Sequence, residues 1–98
     1  MSKKVKNEET RRLMEGIASL ADEEECYAFF EDLCTANELL SLAQRFAVAG
    51  MLRQGMTYQE IVEKTGASST TISRVNRSLN FGTDGYDLVL DRIKKEPE

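Results

Sequence analysis

The chain has no histidine and no tryptophan, only two cysteines and one proline, and no apolar run that approaches the length of a membrane span. Each shortage removes a class of function. Without histidine the commonest general base is missing. Cys26 and Cys34, eight positions apart, cannot be completed within one subunit into a zinc site or a Cys-His nucleophile. Both are expected to be buried free thiols. Carboxylates are plentiful but fall in exposed-looking runs such as Asp22 to Glu25, with no pair placed for acid–base work, so the protein is not expected to be an enzyme. The opening residues, MSKKVKNEET, turn acidic and polar where a signal peptide turns apolar, which predicts a cytoplasmic protein with no membrane partner.

What is present is the composition of a folded protein: 98 residues, 41% hydrophobic and 31% charged. That length gives one domain, residues 1–98, able to bury roughly two-thirds of its unfolded surface, and a partner subunit would add to that burial. The net charge of −4 is unevenly spread. Residues 1–6 form a basic, flexible arm with Lys3, Lys4 and Lys6. Residues 7–38 carry ten acids against Arg11 and Arg12. Residues 39–80 are net basic, with Arg45, Arg53, Lys64, Arg74 and Arg77 against Glu60 and Glu63. A mildly basic patch on an acidic chain predicts modest non-specific affinity for DNA, with selection of a site resting on base contacts and dimeric binding.

Helical periodicity runs through the chain, and no strand pattern or repeat competes with it. Leu13, Met14, Ile17, Leu20 and Ala21 place one apolar stripe on a first helix from Asn7 to Leu20. Asp22 opens a second helix, with Glu25 completing a D-x-x-E analogue of the capping box and Cys26, Tyr27, Phe29, Phe30 and Leu33 forming an aromatic face. Thr35-Ala-Asn-Glu38 is a full capping box for a third helix that runs to about Gln54 and stops at Gly55. Ten of the fourteen residues from Leu39 to Leu52 are apolar. A helix apolar over most of its circumference is covered from several sides, and in so short a chain a second subunit is the expected cover. Asn80 to Gly85 reads as a loop, Tyr86 to Ile93 as a last helix, and residues 94–98 as a polar tail.

Residues 58–79, YQEIVEKTGASSTTISRVNRSL, carry the functional signal. Thr57 and Glu60 cap a short helix, Ser68 or Ser69 caps the next, and Gly66 and Ala67 form the turn between them. Ile61, Val62, Ile72 and Val75 are placed to face inward. Ser68, Ser69, Thr70, Ser73, Asn76 and Arg77 are placed to face outward. Short hydroxyl donors and acceptors beside a cation are the side chains that read base edges and phosphates in a major groove, so the pair is expected to be a helix-turn-helix.

The stretches LCTANE, LAQRFAVAGMLRQGMT and GASSTTISRVNRSL make residues 10–95 resemble the Trp repressor superfamily, in particular its YerC/YecD-type members. The resemblance implies an all-α fold of six helices, an intertwined homodimer and one helix-turn-helix per subunit, docked on DNA as in other proteins of that class. It implies base contacts from Ser69, Thr70 and Ser73, and backbone or flanking contacts from Tyr58, Gln59 and Thr71. Lys64 is added on its charge and place, and Arg77 as a phosphate contact. In tryptophan-responsive members the corepressor lies between two arginines, matched here by Arg45 and Arg74, with Thr35 and Ser78 matching two further ligand contacts. Val75, however, stands where those members have glycine, and its branched side chain would intrude where the indole edge lies. That departure argues against tryptophan, though not against another small-molecule effector. Gln59 and Val62 stand where those repressors carry basic residues, so fewer phosphates would be neutralised.

These features predict a homodimeric transcriptional regulator that binds double-stranded DNA, without a cofactor. The alternative is a protein-interaction module on the same scaffold with weak or no DNA binding, which the net negative charge favours.

Overall fold

Helix starts in this chain are written by side chains that accept the unpaired N–H groups of a first turn. Asn7 does so for α1 (Glu8–Ala18): its Oδ1 accepts from Thr10 N at 2.9 Å while Thr10 Oγ1 accepts from Asn7 N at 2.9 Å. Asp22 accepts from Glu25 N at 2.9 Å to open α2 (Glu23–Leu33). Thr35 and Glu38 exchange both arms of a capping box, 3.1 and 2.9 Å, at the start of α3 (Ala36–Arg53). Thr57 and Glu60 do the same, 3.1 and 2.9 Å, for α4 (Tyr58–Thr65). Ser68 accepts from Thr71 N at 3.1 Å for α5 (Ser69–Phe81), and α6 (Gly85–Ile93) closes the described chain. This computed structural model describes residues 4–93, so part of the basic arm and the 94–98 tail lie outside the described residues. The fold is all-α, with six helices and no strand among the described residues.

Several boundaries differ from the sequence-based expectation. Asn7 is the cap of α1 rather than its first residue, and α1 ends at Ala18, where Ser19 Oγ donates to Gly16 O at 2.7 Å. In α2 the reciprocal arm of the box goes elsewhere: Glu25 Oε1 accepts from Ala21 N at 2.7 Å, one residue before the cap. Helix α5 continues through Asn80 and Phe81, which were expected in the loop, and ends at Gly82. A Cβ at Gly82 would collide with the Ser78 carbonyl oxygen, so this stop depends on the absence of a side chain.

The chain divides into two compact units, Met1–Leu39 and Leu40–Glu98, with the boundary inside α3. In the first unit α1 carries exposed ion pairs, of which Arg12 to Glu15 at 3.0 Å is the shortest, each stabilising the helix by about 0.2–0.5 kcal/mol. Phe29 and Phe30 of α2 meet edge to face with centroids 5.4 Å apart. No residue of α1 or α2 is buried. The expected buried thiols are corrected here: Cys26 is exposed and Cys34 half-buried. Cys26 lies in the capped first turns of α2, where, among the described residues, Phe29 and Phe30 are half-buried and Cys26, Tyr27 and Leu33 are left exposed.

The second unit holds the core. Val48 and Ala49 of α3, Ile61 of α4, Ala67 of the turn, and Ile72 and Val75 of α5 are at most 2% exposed. Met51, Leu52, Met56, Tyr86 and Leu90 pack around them. Val62 departs from its expected inward place and is 39% exposed. Successive helical residues point about 100° apart, so once Ile61 takes the core its neighbour is turned outward. Arg53 at the end of α3 reaches Asp91 at 2.8 Å and Asp87 at 3.4 Å on α6. The hydrogen bond to Asp91, with the charges of Asp91 and Asp87, raises the Arg53 pKa above its ordinary value.

Ile72→Ala is expected to lower unfolding stability by about 2–5 kcal/mol, the range for emptying a fully buried position. Gly66, at φ 74° with open space around it, is expected to cost about 1–2 kcal/mol when replaced by alanine, for backbone reasons alone. Urea denaturation followed by circular dichroism checks both.

Candidate nucleic-acid interface

The turn between α4 and α5 fixes what the second helix presents. Gly66 takes the left-handed conformation, φ 74°, and its N–H donates to Val62 O at 2.8 Å. Thr65 works with it. Its Oγ1 donates to Ile61 O at 2.7 Å and accepts from Ala67 N at 3.0 Å, so one hydroxyl joins the last turn of α4 to the residue that buries itself beyond the turn. Gln44 of α3 donates from Nε2 to Thr65 O at 3.1 Å. The sequence signal for this turn was Gly66 and Ala67, and the roles of Thr65 and Gln44 were missed. A threonine directly before a turn glycine was visible, but its partner on α3 was not.

With Ile72 and Val75 held in the core, Ser69, Thr70, Ser73, Arg74, Arg77 and Ser78 are exposed along α5, and Asn76 is half-buried. Ser68 is exposed but its hydroxyl is occupied: it accepts from Thr71 N and donates to Thr71 Oγ1, both at 3.1 Å. It therefore serves as the helix cap. Thr71 is half-buried, its hydroxyl taken up by that same pair. On α4, Tyr58 is 38% exposed, and Gln59 and Lys64 are exposed.

Electrostatics separate this helix start from the others. Helices α1 to α4 and α6 each carry an acid in the first turn, whereas α5 has none. The positive end of its dipole is therefore not cancelled locally by an acid, and with the Thr71 N–H taken by Ser68, the N–H groups of Ser69 and Thr70 have no intrahelical acceptor. Among the described residues, Lys64, Arg74 and Arg77 have no carboxylate within ion-pair distance, while Arg11, Arg12 and Arg53 do. A helix start without a local acid, on the same two-helix unit as unpaired cations, favours an anion such as a phosphate.

The four residues matched to an effector site are less clearly grouped. Thr35 belongs to the first unit, where its hydroxyl is part of the α3 capping box. Arg45 and Arg74 are exposed in the second unit. Ser78 lines a shallow cavity of about 420 Å³ with Gly82, Thr83, Gly85 and Tyr86, which neither arginine lines. Val75 is 2% exposed and packs in the core. Among the described residues no cluster of three or more His, Cys, Asp or Glu side chains could hold a metal ion, and no helix is long and apolar enough to cross a membrane.

Comparison with known proteins gives this geometry a context. The family model described as Trp repressor protein matches residues 8–94. The uncharacterized protein YerC of Bacillus subtilis (strain 168) is 56% identical over 92 residues, covering 94% of this chain and 88% of its own. The crystal structure of a TrpR-like protein from Eubacterium eligens ATCC 27750 is 56% identical and superposes with a TM-score of 0.89, covering 96% of this chain and 97% of that one. A structure from Staphylococcus aureus, 50% identical, has a TM-score of 0.84 and covers 91% and 89%.

Proposed function

The chain belongs to the Trp repressor family, and from that premise we propose that it is a sequence-specific, DNA-binding transcriptional regulator of the cytoplasm that works as a homodimer. The observation that carries the reading is the exposed face of α5: Ser69, Thr70 and Ser73 stand clear of the core on a helix whose first turn holds no acid. In this reading those three hydroxyls meet base edges. Tyr58, Gln59, Lys64, Thr71 and Arg77 meet the backbone or its flanks, and the first-turn N–H groups of α5 add a phosphate contact.

The homodimer is supported by apolar surface. Of the ten apolar residues from Leu39 to Leu52, only Val48 and Ala49 are buried, while Leu40 is 67% and Leu42 38% exposed. Leu88, Val89 and Ile93 of α6 are between 43% and 51% exposed. Two reading helices related by a twofold axis would bind a roughly palindromic site, with half-sites about one DNA turn apart. The family resemblance matches Arg45, Arg74 and Ser78 of the second unit, and separately Thr35 of the first, to contacts of a small-molecule effector. Tryptophan is not the expected one, because Val75 puts a branched side chain next to Arg74.

Selection of bound sites from a random DNA pool, with and without candidate amino acids, tests the reading directly. A recurrent, near-palindromic site is the expected outcome. Thr70→Ala and Ser73→Ala are each expected to weaken binding to that site by about 1–3 kcal/mol while leaving random DNA almost unaffected. Arg77→Ala is expected to weaken all sequences alike and to lower the salt dependence by about one phosphate's share. Absence of retention on random DNA even at low salt would instead favour the protein-interaction module. Sedimentation equilibrium should show a dimer at micromolar concentration that Leu40→Glu shifts toward single subunits; a monomer in the unmodified protein would remove the twofold part of the proposal.

A further inference from the structure

A hydrogen bond from outside the helix-turn-helix ends on its turn, at the point where the direction of α5 is decided. Gln44 lies half-buried on α3, and its Nε2 donates to Thr65 O at 3.1 Å across 21 residues of sequence. Thr65 is the last residue of α4. Carbonyls of a last turn have no intrahelical donor, and one that is partly buried needs a partner from elsewhere. The same threonine holds Ile61 O and Ala67 N through its hydroxyl at 2.7 and 3.0 Å. One residue thus joins α3, α4 and the turn, and two positions beyond the turn's buried Ala67 the exposed serine-threonine face of α5 begins.

Resting on the proposed role in reading DNA, we infer that Gln44 is a positioning residue for the reading helix, holding the turn in register from α3 without touching DNA. The apolar contacts of Ile61, Ile72 and Val75 with Val48 and Ala49 keep α5 attached to α3, but dispersion contacts are non-directional and tolerate small rotations. The amide is directional: it sets where the end of α4, and with it the first turn of α5, stands relative to α3. A longer-range consequence is that anything that moves α3 is passed to the reading face through Thr65.

The test uses the full chain with Gln44→Leu, which keeps the bulk and removes the donor, and Gln44→Glu, which replaces it with an acceptor facing a carbonyl. Arg53→Met serves as a control, since it removes an α3 link to α6 and leaves the turn alone. Amide hydrogen exchange followed by NMR is read at Gly66 and Ala67, with Ile61 and Ile72 as internal references, and binding is measured on the selected duplex and on random duplex. Both Gln44 variants are expected to speed exchange at Ala67 and Gly66 about tenfold relative to the core amides, the scale of one lost hydrogen bond. The ratio of selected-site to random-DNA affinity is expected to fall by a similar factor, while Arg53→Met lowers stability and leaves both unchanged. Unaltered exchange at Ala67 would overturn the strut whatever the DNA result. Faster exchange with an undiminished affinity ratio would overturn its role in positioning. Should the unmodified protein prefer no duplex over random DNA, the proposed function fails, and the exchange data still decide whether Gln44 holds the turn.

Discussion

Burial of Ile61 and Ile72 against Val48 and Ala49 is the constraint on which the second unit depends. These four side chains are 0% exposed, with Val75 and Ala67 at 2% completing the cluster. Because Ile72 and Val75 are three residues apart on α5, their burial decides which face of that helix turns inward. The rest of its surface follows: Ser69, Thr70, Ser73 and Arg77 have nowhere to go but outward. Which side chains α5 exposes is a by-product of which ones the core takes.

The electrostatic design explains how an acidic protein can serve an acidic ligand. Acids are concentrated in and before α1 and α2, where Glu8, Glu9 and Glu23 to Glu25 sit in first turns as dipole partners and Asp22 caps α2. They are absent from the first turn of α5, and among the described residues Lys64, Arg74 and Arg77 have no carboxylate within ion-pair distance. Bulk charge of this size gives little non-specific attraction, so in the proposed function discrimination rests on hydroxyl contacts at base edges and on a second subunit. The exposed leucines of α3 and the exposed apolar residues of α6 are consistent with a chain that completes its burial by association.

Local signals were legible in the sequence and tertiary ones were not. The boxes Thr35–Glu38 and Thr57–Glu60 sit where their spacing placed them, because both partners lie within one turn. The left-handed Gly55 and Gly66 follow from helix ends that need a residue without a Cβ. Glu25 went to Ala21 instead of Asp22, since a flexible side chain chooses between neighbouring donors that the sequence presents equally. Val62 and Ile61 are interchangeable by hydropathy, and only the position of α3 decides which is buried. Cys26 looked like a core residue by type, yet it is exposed, and no residue of α2 is fully buried. The links Gln44 to Thr65 and Arg53 to Asp91 join residues 21 and 38 apart, and no periodicity marks such pairs.

The central claim is that the amino-terminal half of α5 is the surface that meets DNA. Titrating isotopically labelled protein with a selected duplex and following backbone amide shifts tests it most directly. Ser69, Thr70 and Ser73 are expected to shift first and furthest, with Tyr58, Lys64 and Arg77 following and α2 unmoved. Shifts centred on α2 or α6, with the serine-threonine face of α5 unmoved, would contradict it.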